Sequence, residues 1–418
     1  MSKGKFVIGI LLFTVFCIFS ACQRNVDKMT IRVAHWDMTT NNYVTALIET
    51  FKQANPGVSV EIIDIPSADY TQRLTVMLNG GSDVDVFWIK DGDTTKSIAN
   101  RGQLADLTGY IMQDNINLRD FHGLADRFII DNKIVALPAS TGYYVLYYNK
   151  DIFDNMQIPY PSNNMTWAEW ENLAGQLTSG SGNNKIYGGH LHTWQACVQN
   201  WGVQDGRNTI MATDYSFFRP YYEMALRMQR AGHIQDYGSL RAGGIHYSSL
   251  FLRGSVATMP MGTWFFSTII ERIENNESNI RWGISTLPHP PHVERGWTVG
   301  SVTPIAMNQA SSNKDLAWKF INFITSIEGA NIYASFGQFP GRSNDETLNT
   351  IASLPGMPEG SARALEVKNI VLDRPMELKV GEINQMLGEE HSLIMLEEVN
   401  INRGLDNMAR RSREIQGR

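Results

Sequence analysis

TIRVAHWDMTTNNYVTALIETFKQANPGVSVEIIDI, residues 30–65, is the stretch whose reading decides the fold. Its first seven residues alternate as a half-buried strand does, with Ile31 and Val33 on one face. After Asn41-Asn42 the period changes. Tyr43, Leu47 and Phe51 recur at helical spacing, with Val44 and Ile48 beside them. Asn55-Pro56-Gly57 stops that helix. VSVEIIDI returns to period two through Val58, Val60 and Ile62. A second helix is expected from Asp69 to Leu78, closed by Asn79-Gly80-Gly81, and DVDVFWI is the next strand. Strand, helix, strand, helix, strand is an α/β arrangement. Such a sheet offers ligands the carboxyl ends of its strands. Those ends are His35-Trp36-Asp37 and Trp88 to Asp93.

A second set of elements begins near residue 140. YYVLYYNK (143–150) reads as a tyrosine-rich strand with one face in the core and one face out. MTWAEWENLAGQL opens with a capping box, Thr166 and Glu169. Phe217 to Met228 reads as a helix ended by Ala231-Gly232. VATMPMGTWFF (256–266) is a buried strand broken at Gly262, with Trp264 where a helix begins. Arg281 to Leu287 makes another strand before the turn PHPPH, and SVTPIAMN (301–308) another. In LAWKFINFITSI, Leu316, Phe320, Phe323 and Ile327 form one apolar helical stripe. Past Pro340 the chain is punctuated by Pro and Gly, then helical to Arg418.

Composition agrees with a folded, two-domain protein: 418 residues, 43% hydrophobic and 19% charged, with no low-complexity tract. The first 21 residues read as a secretory signal. Lys3 and Lys5 precede an apolar run, Phe6 to Phe19, too short to span a bilayer comfortably. Ser20-Ala21-Cys22 follows and resembles a bacterial lipobox, with Phe19 standing where Leu is usual. Cys22 is therefore the expected lipidation site, and residues 22–29 the tether. Of the 36 basic residues two fall in the signal, leaving 34 against 42 acidic ones, a surface ill-suited to nucleic acid. Outside Cys17 and Cys22 the chain has only Cys197, so no internal disulfide is expected.

The order of motifs resembles the extracellular solute-binding proteins of bacterial ABC importers, the carbohydrate-binding, maltose-binding-protein-like family 1. The matching pieces follow one another over nearly the whole mature chain: FKQANPGVSVEI, LNGGSDVDVF, RGQLADLT, NKIVALP, YYVLYYNKDIFDNMQIPYP, TWAEW, FLRGSVATMPMGTW, GISTLPHP, SSNKDLAWKFINFITSIEGA and FGQFPGRS. Pro260 departs from the pattern, and Gly188 to Asp214 matches nothing in it. The resemblance implies a type II periplasmic-binding-protein fold, in which two α/β lobes, each a central sheet flanked by helices, are joined by hinge crossings. Lobe 1 would be 30–139 plus 302–341, and lobe 2 140–301 plus 342–418, with crossings near Ser140-Thr141, near Gly300 and after Arg342.

The implied function is capture of a mono- or oligosaccharide by hinge closure and delivery to an ABC permease. The protein would be a monomer outside the cytoplasm, anchored by lipid on Cys22, with no cofactor, no metal and no nucleic acid. Two rival readings are a secreted polysaccharide-active enzyme and the ligand-binding subunit of a sensor. No GxSxG, HExxH or partnered Cys nucleophile is present, so a binder rather than an enzyme is expected. By the resemblance Trp264 stacks on a sugar ring; its rival role is a core plug. Candidate partners for the hydroxyl rim are Trp36, Asp37, Lys90 and Asp91 at strand ends and Thr141, Tyr143 and Tyr144 at the hinge, where only one tyrosine, taken as Tyr143, should point into the cleft. Trp194 and Trp201 lie in the unmatched segment, Trp297, Gly300 and Ser301 adjoin the later crossing, and Arg342 follows a Pro-Gly turn. Gly300 would let ligand approach the backbone. His190-Leu191-His192 has metal-ligand spacing but no third ligand beside it in sequence.

Overall fold

The computed structural model describes residues 29–38, 42–66, 69–81, 83–90 and 94–417. The signal, Cys22 and Asp91 lie outside the described residues.

The opening stretch folds as read. Strand β1 (Met29–Trp36) pairs in parallel with β2 (Val58–Ile65) and with β3 (Val86–Trp88). Between β1 and β2 the helix Asn42–Ala54 buries Val44, Leu47, Ile48 and Phe51. Phe51 meets Phe320 edge-to-face, with ring centroids 5.0 Å apart. Phe320 belongs to the helix Lys314–Ile324, which packs on the same sheet. Burying each such ring contributes about 1.5–3 kcal/mol. That helix stops before Ile327, because the Ser326 hydroxyl accepts the Gly329 N–H and caps a new helix, Ile327–Ser335. The buried stripe therefore runs through Ile324, and Phe323 is only partly covered.

A small hairpin, β4 (Ile129–Ile130) and β5 (Lys133–Ile134), precedes the long strand β6 (Leu137–Asn149). Past it come β7 (Tyr187–Gly189), β8 (Val256–Gly262), β9 (Trp282–Thr286) and β10 (Trp297–Met307). The short strands β11 (Phe339–Pro340) and β12 (Asn369–Leu372) complete a ten-stranded sheet ordered β2-β1-β3-β10-β6-β8-β7 along its main path. Two strands change partners along their length. The first half of β6 pairs with β10 and β11, the second half with β8 and β9. Strand β10 begins against β12 and ends against β3.

Helices cover both faces of the second half of β6, so the expected in-and-out tyrosine alternation fails. Tyr143, Tyr144, Tyr147 and Tyr148 are all buried. The helix Trp167–Leu177 opens with the full capping box, Thr166 and Glu169 each bonding the other's backbone N–H. Its Trp170 indole N–H donates to Thr258 Oγ1 (2.9 Å), and that hydroxyl donates to the Gly188 carbonyl (2.6 Å). Pro260 fits inside β8 because pairing with β7 ends at Thr258.

Candidate functional site

The site begins with a gap in the sheet. On one edge of β10, the carboxyl ends of β3 and β12 point at each other. Ile89 N–H donates to the Pro304 carbonyl (2.8 Å) and Asp373 N–H to the Gly300 carbonyl (3.0 Å). Only Ser301 to Thr303 remain between those two bonds. Lys90, Ser301, Thr303, Asp373 and Arg374 line the recess of about 70 Å³ that this leaves.

Register decides which face of the crossing strands carries the site. Gly142 pairs with Ser301, so both direct their Cβ positions to one face. Trp264 lies over that face. A Cβ on Gly142 would be 3.3 Å from its Cε3 and 3.9 Å from Ser301 Oγ, and one on Gly262 would be 2.1 Å from the ring. The indole is 41% exposed. Tyr144 meets it edge-on, with centroids 5.4 Å apart, and the indole lies near enough to the Tyr247 hydroxyl to offset part of the rise that burial causes in that phenol's pKa. The ring face is what the platform offers.

The other face is closed. Thr141 Oγ1 donates to the Ser301 carbonyl (2.8 Å). Tyr143 is buried against Phe339 and donates to the Leu365 carbonyl (3.1 Å), and burial raises its phenol far above the ordinary tyrosine range. Tyr143 is therefore removed from the ligand set, since register turns it away from Trp264. Gly300 is removed too. A Cβ there would stand 2.4 Å from the Gly142 carbonyl oxygen and 3.0 Å from Ile370, so the glycine serves strand-to-strand approach rather than ligand approach. Trp201 is fully buried, stacked on Trp167 at 4.4 Å and edge-on to Tyr144 at 5.4 Å. It supports the tyrosine that supports Trp264, with no surface for a ligand.

Other expected residues fall at varying distance. Trp36 is half-buried, stacked on His35 at 4.2 Å, and β1 runs parallel beside β3, so Trp36 and Asp37 end on the same edge as Lys90. Burial holds the His35 imidazole down at about 4, neutral at ordinary pH. Asp37 ends the strand in a left-handed conformation (φ 46°). Trp297 is four residues before Ser301, roughly 13 Å along the strand. Its carbonyl accepts Gln204 Nε2 (2.9 Å). Arg342 Nη2 is ion-paired to Asp120 at 2.6 Å, with its guanidinium over Phe121. Trp194 is 38% exposed, against His192 and Tyr247. Among the described residues no group of three or more His, Cys, Asp or Glu is placed to hold a metal ion.

Sequence reading missed Gly142, Tyr247, Thr303, Asp373 and Arg374. The Asp-Arg-Pro that follows the apolar run Ile370 to Leu372 was the available signal for two of them: polar residues and a breaker where a strand ends.

The model of the bacterial extracellular solute-binding proteins matches residues 36–331 of the chain. The chain belongs to that family. This solute-binding protein is similar to a sugar transporter from Rhizobium etli solved in an open conformation. The two are 37% identical, with 92% of this chain and 99% of that one covered and a TM-score of 0.90. It shares its fold with an ABC substrate-binding protein from Listeria monocytogenes in complex with cycloalternan, at 21% identity. There 94% of this chain and 100% of that one are covered, with a TM-score of 0.74. The sugar-binding protein MalE of Xanthomonas citri shares it too, at 18% identity, with 93% and 98% covered and a TM-score of 0.77. The architecture is thus the two-lobed α/β fold of solute-binding proteins. The family is extracellular, and among the described residues no helix is long and apolar enough to cross a membrane.

Proposed function

We propose that this solute-binding protein captures a sugar between its lobes and hands it to an ABC permease. The observation that carries the reading is the exposed indole of Trp264, held flat over Gly142 and Gly262 beside the crossing strands. A pyranose offers an apolar C–H face to such a ring and a rim of hydroxyls to polar neighbours. Lys90, Ser301, Thr303, Asp373 and Arg374 supply donors and acceptors for that rim. The sugar transporter from Rhizobium etli, similar over nearly its whole length, supports carbohydrate as the cargo.

The lobes divide at 139/140, 301/302 and 341/342 in this reading. The partner change along β10 supports the second division, and the change along β6, between Tyr143 and Tyr144, falls four residues past the first. Closure then draws the Trp36–Asp37 and Lys90 edge toward Trp264, driven only by contacts absent from the open state. Cys22 carries the lipid anchor outside the cytoplasm, and the protein acts as a monomer.

A thermal-shift screen over mono- and oligosaccharides tests the reading. A bound sugar raises stability by RT ln(1 + [L]/Kd), visible as a higher Tm without turnover. Trp264→Ala abolishes the shift. A full shift in that variant would dismiss the stacking role, and release of reducing ends during incubation would favour an enzyme.

A further inference from the structure

We propose that the recess between the ends of β3 and β12 seats a carboxylate, so that the preferred ligand is an acidic sugar, a uronic acid or an oligomer of one. The inference rests on the sugar-binding reading above and specifies its substrate class.

Backbone geometry brings two cations to one place. The N–H groups of Ile89 and Asp373 are fixed to the carbonyls of Pro304 and Gly300, four residues apart on β10 or roughly 13 Å along the strand. Lys90 and Arg374 come next in sequence after those anchors. Their long side chains thus approach the interval from opposite ends, and both line the recess. Asp373 lines it too. Among the described residues, the charged side chains of the lining sum to one positive charge. The chain as a whole has 42 acidic residues against 36 basic ones, so a positive recess is not the background of its surface. A carboxylate brings the sum to zero. When the lobes close and water leaves, enclosed net charge becomes far costlier than it is in water. A neutral sugar would leave that charge in place.

Size and donors fit the same group. The recess holds about 70 Å³. A water molecule takes about 30 Å³ of the liquid, so the space is that of about two waters, or of the two oxygens of a carboxylate. A pyranose ring does not enter. Ser301 and Thr303, two residues apart on β10, add hydroxyl donors along one face of the strand. A guanidinium such as that of Arg374 matches the two oxygens of a carboxylate with parallel N–H donors.

The sugar ring stays outside, on Trp264. Ser301 Oγ and Trp264 Cε3 stand 3.9 and 3.3 Å from the position of a Cβ on Gly142, so recess and platform share an edge. Burial raises the Tyr144 phenol far above the ordinary tyrosine range; among the smaller causes, Asp373 adds to the rise and Arg374 opposes it. Both charges therefore act on the ring that meets Trp264 edge-on. One pyranose can lie on the indole and turn a carboxylate on its rim into the recess.

The test is isothermal titration of the full mature chain with glucuronate, galacturonate and mannuronate and their dimers and trimers, each against the matching neutral sugar, and with the 6-phosphates of glucose, galactose and mannose. At least one uronate or oligouronide binds about tenfold or more tighter than its neutral counterpart. That margin narrows as salt rises from about 0.01 M to about 0.15 M. Arg374→Gln and Lys90→Met each cut it at least fivefold. Arg374→Lys, which keeps the charge, retains more of it than Arg374→Gln, and Asp373→Asn widens it. Trp264→Ala weakens acidic and neutral sugars together. Equal affinity for acidic and neutral sugars in the wild type, or an unchanged margin in both Arg374→Gln and Lys90→Met, overturns the carboxylate seat and leaves capture of a neutral sugar standing. A sugar phosphate bound more tightly than every uronate also overturns it, since the recess would then be built for phosphate. If no saccharide binds, acidic or neutral, the carbohydrate reading itself falls, and this inference falls with it. Should Arg374→Gln fold poorly, Arg374→Lys and the salt dependence of the wild type decide, and a margin indifferent to salt overturns the inference.

Discussion

The indole of Trp264 folds back across Gly262 so closely that a Cβ on that glycine would stand 2.1 Å from Cη2 and Cζ3. Gly142, on the neighbouring strand and the same face, is under the same ring at a looser 3.3 Å. The strand ends on glycine because the side chain two residues later needs that space. A platform of this kind is set by backbone as much as by the tryptophan.

Gly262→Ala should therefore displace the indole and weaken sugar binding by about tenfold or more, roughly 1.4 kcal/mol. Gly142→Ala should do less, since its methyl, 3.3 Å from Cε3, asks the ring to give by only a few tenths of an ångström. Calorimetric titration of both variants gives the order. Wild-type affinity in Gly262→Ala would mean that the ring position is immaterial to binding.

Gly300→Ala should act on stability. The new methyl would meet the Gly142 carbonyl at 2.4 Å, backbone that cannot turn aside. Overpacking of this kind costs about 1–3 kcal/mol. Urea unfolding should show a lower midpoint with an unchanged slope. A midpoint equal to that of the wild type would show that β6 and β10 have room to part.

Thr258→Val removes the hydroxyl that joins Trp170 to Gly188 and leaves a buried N–H and a buried carbonyl unpaired. The expected loss is about 1–3 kcal/mol per unpaired group. Thermal unfolding measures it, and a Tm within one degree of wild type would count against the bond.

Stability should fall with acid. Burial holds His35 and His192 at about 4 and His190 and His391 at about 3, all below the ordinary 6.5. Unfolding frees them to take up protons below pH of about 6.5, so from there down to about 4 the unfolded chain binds more protons than the folded one. Each group then approaches a loss of about 1.4 kcal/mol per pH unit. Tm should be flat above pH 7 and drop toward pH 4.5, and His190→Phe, which forfeits no hydrogen bond, should flatten the drop. A Tm at pH 5 equal to that at pH 7.5 would contradict the burial argument.

Much of the fold was legible because it rests on local periodicity. Ile31 and Val33, then Leu47 and Phe51, declare a strand and a helix by spacing alone, and Thr166 with Glu169 announces a helix start that the structure contains. The site was less legible. Trp264 was found because a glycine break before an indole is a local signal. Tyr143 was chosen over Tyr144, and Gly300 was assigned to the ligand, because the register between β6 and β10 joins residues about 160 positions apart.

The sequence by itself determined the alternation of strands and helices, the family and the tryptophan most worth testing, because each depends on neighbours along the chain. Tertiary structure alone decided which face of the crossing strands is open, that Trp201 props Tyr144 from behind, and that Asp373 and Arg374 meet Lys90 across a gap in the sheet. Those outcomes turn on pairing register and on two strand ends converging from distant parts of the chain, and no local pattern of residues encodes either.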